Sequence, residues 1–119
     1  MALALWGALP SGVQWSHAAL LLLVVAPTLE EIVFRAGLQE ALLRRLGDSR
    51  AVTANSLTAT LFAATHVALR PTFVSLLTLL PALAIGVIYQ RHRRIVPCIA
   101  VHIVFNGIWL QWVGRPVSA

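Results

Sequence analysis

The sequence predicts an all-α protein, a polytopic bundle of about four transmembrane helices. Composition is the first reason. Hydrophobic types make up 59% of the 119 residues, 11% are charged and the mean hydropathy is +0.83, whereas a soluble domain carries about 25% charged residues. Grouping is the second: the apolar residues form long stretches separated by short breaks of Gly, Pro and Arg, and a spanning helix takes about 20 residues. An ordinary soluble globule does not fit these values. Neither does a disordered chain, which needs low hydrophobicity and high charge. The length allows one domain, residues 1–119.

The elements follow in order. Ala2 to Leu9 is an apolar patch too short to span. It has no basic flank of the kind a cleaved signal peptide carries, and it reads as an interfacial segment or the remnant of a longer N-terminal region. A first helix is predicted over 17–46. Its leading half is apolar through Ala26; Pro27 follows, then a more polar half holding Glu30, Glu31, Arg35, Gln39 and Glu40. This is one long helix, or two half-helices meeting near Pro27, since proline is tolerated in a span when neighbours satisfy the freed carbonyl. Gly47-Asp48-Ser49-Arg50 ends it. A second helix, 51–69, is rich in small and hydroxylated residues such as Thr53, Ala54, Asn55, Ser56, Thr58 and Ala59. Small residues let helices approach closely and hydroxyls bond across the interface, so this span belongs inside the bundle. Arg70-Pro71 makes a turn into a third helix, 72–90, with Pro81 and Gly86 as kink or close-contact positions. A polar loop reaches Arg94, and a fourth helix covers 95–113, ended by Gly114-Arg115-Pro116.

The charge pattern separates two classes of partner. The net charge is +5 and the pI about 11.5, values that suggest nucleic acid in a soluble protein. Here all nine basic residues are Arg, and most sit in two short runs between apolar stretches: Arg44, Arg45 and Arg50, then Arg91, Arg93 and Arg94. No basic soluble face or nucleic-acid motif is present, so the lipid bilayer is the expected partner and nucleic acid is not. Arginine-rich short loops mark the cytoplasmic side. Loops 44–50 and 91–94 are therefore expected there, with both termini outside. Cys98 is the lone cysteine; no internal disulfide is possible, and it is expected to be a small buried hydrophobe.

Ionisable groups inside spans are costly, face the bundle interior and usually mark function. Three clusters stand out. In Glu30-Glu31-Ile32-Val33-Phe34-Arg35, Glu31 and Arg35 are i,i+4 and share one helix face, where a guanidinium can pair with a buried carboxylate. Glu30 lies about 100° around the helix, is less able to share Arg35, and is a candidate general base. In Phe62-Ala63-Ala64-Thr65-His66, the Phe and His share a face, as do His102 and Asn106 in the fourth helix. Each cluster alone has a structural explanation: a solvated helix end, an interfacial histidine, or helix–helix hydrogen bonding. One shared inward-facing site accounts for all three at once. A carboxylate, two imidazoles and an amide form a plausible hydrolytic set of base, water positioner and oxyanion donors.

The order Glu30-Glu31-x-x-x-Arg35, Phe62-x-x-x-His66, His102-x-x-x-Asn106 resembles the three motifs of the CPBP intramembrane protease family, which includes the CAAX prenyl endopeptidases and the bacterial Abi proteins. The resemblance covers residues 20–113 and is closest to small bacterial members that process C-terminal sorting signals. It implies a glutamic-type intramembrane endopeptidase in a bacterial inner membrane, cutting near the C-terminal end of a membrane-anchored substrate with a sorting tail or a prenylated end. It further implies that Glu30 activates water, that His66 holds the water with it, and that His102 and Asn106 stabilise the oxyanion. Glu31 and Arg35 become a structural ion pair. The chain is shorter than most members of the family, so either the bundle is minimal or the substrate's helix or a partner completes it.

Two alternatives stay open at this level. Glu30, His66 and His102 could bind zinc with one position left for water, although no His-Glu-x-x-His pair is present; the expected cofactor is none. A non-enzymatic membrane protein, serving as an ion or proton pathway, an immunity protein or a scaffold, could use the same polar residues as bundle contacts. Depth also carries an expectation. Glu30 is fourteen residues from Arg44 and His66 four from Arg70, or about 21 Å and 6 Å along a helix. Both then fall in the extracytoplasmic half of the membrane.

Overall fold

A computed structural model describes residues 20–112. The expected N-terminal patch Ala2–Leu9 and the expected stop at Gly114-Arg115-Pro116 lie outside the described residues. Within them the chain is helical, with no strand, and forms four helices. Helix α1 runs continuously over 21–46, α2 is Ala51–Leu69, α3 is Phe73–His92 and α4 is Ile95–Trp112. Among the described residues only α3 is both long and apolar enough to pass as a membrane span, with a mean hydropathy of 1.9; α4 contributes a shorter apolar stretch, Ile95–Leu110. The first two helices fall short of the four spans expected, because α1 carries Glu30, Glu31 and Arg35 and α2 carries its run of Thr, Ser and Asn.

Pro27 does not divide α1. Wide, i→i+5-bonded turns occupy Leu21–Val25 and Ile32–Gln39, with ordinary α-helix at Ala26–Glu31 and Glu40–Leu46. The missing proline N–H falls in the first turn after a wide segment, where the ladder is already re-registered. The wide turns also explain an unusual burial pattern. Pro27, Glu31, Arg35, Gln39 and Leu43 are all buried, every fourth residue over sixteen. In a regular α-helix such a series drifts about 40° per step and would wrap almost half-way round. Underwinding over Ile32–Gln39 brings it back to one face.

Gly47, at φ +81°, closes α1 in a conformation that side chains rarely adopt. In α2 the buried positions are 54, 55, 58, 59, 62, 63 and 66, the stripe of an ordinary amphipathic helix. Thr72 caps α3 by accepting from the Ser75 amide, and the helix loosens at Leu77–Thr78, one turn before Pro81. The core has two parts. Leu43, Ala54, Ile85, Tyr89 and Cys98 pack toward the end that carries loops 47–50 and 93–94, and Ala59, Phe62 and Ala82 pack further along. Cys98 is fully buried, as expected. Large apolar side chains such as Leu29, Val33, Leu61, Phe73, Leu80 and Val104 point outward.

Polar side chains join the helices through backbone carbonyls of α3. Arg35 donates to Ala82 O at 2.8 Å, Gln39 to Gly86 O at 2.9 Å and Asn55 to Leu83 O at 3.0 Å. Each helical carbonyl has a second lone pair, so it can accept from a neighbour without leaving its own ladder. Gly86 is required by this approach: a Cβ there would overlap the amide of Asn55.

Candidate active site

Glu30 and Glu31 are adjacent in the chain but face different partners. Glu31 is fully buried, and its Oε2 accepts from Arg35 Nε at 3.1 Å. Arg35 is held at its other nitrogens by Gln39 Oε1, at 3.0 Å, and by Ala82 O. The expected Glu31–Arg35 pair is thus present, with all three donor groups of the guanidinium occupied. Glu31 does one thing more. Its Oε1 takes a 2.7 Å hydrogen bond from His102 Nδ1, reaching from α1 to α4. A carboxylate only accepts, so Nδ1 carries the proton and Nε2 faces the other way. His102 Nε2 is 3.5 Å from Glu30 Oε2. His102 is therefore held between the two carboxylates.

His66 is oriented from its own helix. Its Nδ1 bonds to Phe62 O at 2.8 Å, and since a carbonyl accepts, Nδ1 is again the protonated nitrogen. In the neutral ring Nε2 is then an acceptor. Phe62 packs against the His66 ring at 4.4 Å and presents an edge-on contact to His102 at 6.0 Å, while Phe34 packs on its other side. One aromatic side chain spaces the two imidazoles.

Glu30, His66, His102 and Asn106 all line a single cavity of about 30 Å³, with Phe62, Thr78, Ala82 and Phe105 completing its wall. All four residues are at least 94% buried. The volume exceeds the 10–15 Å³ that one water needs, and a buried water requires polar partners of this kind. Asn106 Nδ2 is buried with no hydrogen-bond partner among the described residues, a donor turned toward a site and available to a ligand. A second, larger hollow of about 520 Å³ runs beside α1, lined by Leu22, Val25, Leu29, Val33, Phe34 and Thr65, and it shares Glu30 with the first.

The structure brings together every residue singled out from the three motifs. It also adds two residues outside the three motifs. Gln39 continues the i,i+4 series of Glu31 and Arg35, and that spacing is its signal in the sequence. Thr78 enters the cavity wall through the loosened turn of α3, which has no clear sequence signature beyond the nearby Pro81. No group of three or more His, Cys, Asp or Glu among the described residues is arranged to hold a metal ion. His102 spends Nδ1 on Glu31 and His66 spends Nδ1 on Phe62, which leaves Nε2 as the remaining ring nitrogen of each.

Residues 12–108, most of the chain, match the family described as type II CAAX prenyl endopeptidase, Rce1-like. The chain belongs to this family. Rce1-like proteins are membrane-embedded proteases acting on membrane-associated, prenylated proteins. The matched span contains all three motifs and the whole cavity. No curated protein and no solved structure matches the chain.

Proposed function

We propose that this Rce1-like protein is a glutamic-type intramembrane endopeptidase that hydrolyses a peptide bond near the C-terminal end of a membrane-anchored substrate. The observation that carries the reading is the convergence of Glu30, His66, His102 and Asn106, from three helices, on one water-sized cavity. Glu30 takes a proton from the bound water, which His66 Nε2 orients. The nascent hydroxide attacks the scissile carbonyl carbon, and the C=O pair moves onto oxygen. Asn106 Nδ2–H and the protonated Nε2 of His102 stabilise that oxyanion, with Glu31 balancing the charge on the ring and fixing its orientation. Glu30 then returns its proton to the leaving nitrogen as the C–N bond breaks. The apolar hollow that shares Glu30 suits a hydrophobic substrate portion, either a prenyl chain or a sorting tail, delivered beside the base.

In this reading the four helices sit together in a bacterial inner membrane as a polytopic bundle, and the site opens toward the extracytoplasmic half. The four groups lie away from the arginine-rich loops, which supports that placement. The test is cleavage of prenylated and of apolar-tailed peptides by purified protein in lipid. Cleavage that survives Glu30→Gln would refute the assignment of the base.

A further inference from the structure

The arginine-rich end of the bundle has a second property, independent of the proteolytic reading. Arg93 pairs with Glu40 Oε2 at 3.3 Å and lies 3.9 Å from Asp48. These contacts place loops 47–50 and 93–94 side by side at one end. Six arginines gather there against two carboxylates, whereas among the described residues Arg70 is the lone arginine at the other end. The six are not equivalent. Arg44 and Arg93 are engaged by Glu40, which also accepts from Tyr89 Oη at 2.8 Å. Arg45, Arg50, Arg91 and Arg94 are exposed and pair with no carboxylate among the described residues.

Their depth is marked by their neighbours. Arg50 stands two residues before Val52, which is 73% exposed, and Arg94 two residues before Val96, which is 68% exposed. In both helices the outward apolar surface begins about 3 Å along the axis from the arginine's backbone. Cations carried at the edge of an apolar belt can reach the lipid phosphates, and arginine's planar fork matches a phosphate's paired oxygens.

We propose that Arg45, Arg50, Arg91 and Arg94 form a binding surface for the headgroups of anionic phospholipids, which collect around this end of the bundle. The test uses the full-length protein in phosphatidylcholine bilayers with trace spin-labelled phosphatidylglycerol or phosphatidylcholine, and reads the relative association of the two probes. Wild type should prefer phosphatidylglycerol by about fivefold or more, a contribution of the size expected from one surface arginine upward, and the preference should fall as salt is raised. Replacing the four arginines by Gln should bring it close to one, whereas Arg70→Gln should leave it unchanged. Should the fourfold variant fail to insert, Arg45→Gln and Arg94→Gln singly must each lower the preference. Equal association of both probes with wild type overturns the proposal, as does a preference that survives the substitutions. Displacement of the labelled lipid by excess inorganic phosphate would mark a free-anion site and overturn it too.

Discussion

Glu30 and Glu31 show how two identical neighbours acquire different work. Glu31 faces Arg35 and the protonated Nδ1 of His102, and is satisfied on both oxygens. Glu30 faces the cavity. Glu30→Gln is therefore expected to abolish proteolysis while expression and thermal unfolding in detergent stay near wild type, because the amide is nearly isosteric but cannot take the water's proton. Glu31→Gln should behave differently. It leaves Arg35 buried without its carboxylate, and the cost should be about 3–5 kcal/mol in the unfolding equilibrium. If instead Glu31→Gln inactivates a fully stable protein while Glu30→Gln remains active, the two roles are reversed. Asn106→Ala should lower kcat by about 10²–10³ without loss of fold, as expected for one oxyanion donor. An unchanged kcat would remove Asn106 from the reaction.

At the scale of the element, α1 and α3 form the frame. The buried series Pro27, Glu31, Arg35, Gln39 and Leu43 stays on one face because α1 is underwound, and its Arg35 and Gln39 donate to carbonyls of α3. Close approach at Gly86 makes this frame sensitive to single atoms. Gly86→Ala should cost about 1–3 kcal/mol through overpacking against Asn55. Asn55→Ala in the same chain should recover part of that loss, giving a non-additive cycle in unfolding measurements; strictly additive effects would mean the two residues do not meet. Helix bounds were legible to within a few residues: 51–69 coincides with α2, and 72–90 and 95–113 fall close to α3 and α4. The breakers Gly47 and Arg70-Pro71 carry that information locally. The wide turns were not legible, since Ile32, Val33 and Gly37 lower helix propensity without specifying i→i+5 bonding.

For the whole molecule, the arginine distribution predicts which end faces the cytoplasm. With Ser49→Cys and Thr72→Cys introduced separately, an impermeant thiol reagent should label position 72 in intact cells and leave position 49 shielded. The native Cys98 is fully buried and contributes little background. The opposite pattern would invert the topology and bring the chemistry nearer the cytoplasm. A second whole-molecule test concerns the cofactor. Chelators should leave activity intact, and active protein should contain well under one equivalent of metal. A stoichiometric zinc lost together with activity would make Glu30, His66 and His102 its expected ligands.

The sequence by itself determined the helical class, the order of the elements and the residues worth watching. Those are local properties: apolar run length, breakers, and polar groups where a bilayer makes them expensive. It also determined the Glu31–Arg35 pair, because i,i+4 geometry within one helix needs no fold. Only the tertiary structure decided that four helices close on one cavity, that Glu31 reaches His102 seventy-one residues away, and that Gln39 holds Arg35 while bonding Gly86. The physical reason is that contacts between helices depend on rotation about each axis. Rotation is set by close packing at positions such as Gly86 and by underwinding in α1, which hydrophobic periodicity does not encode.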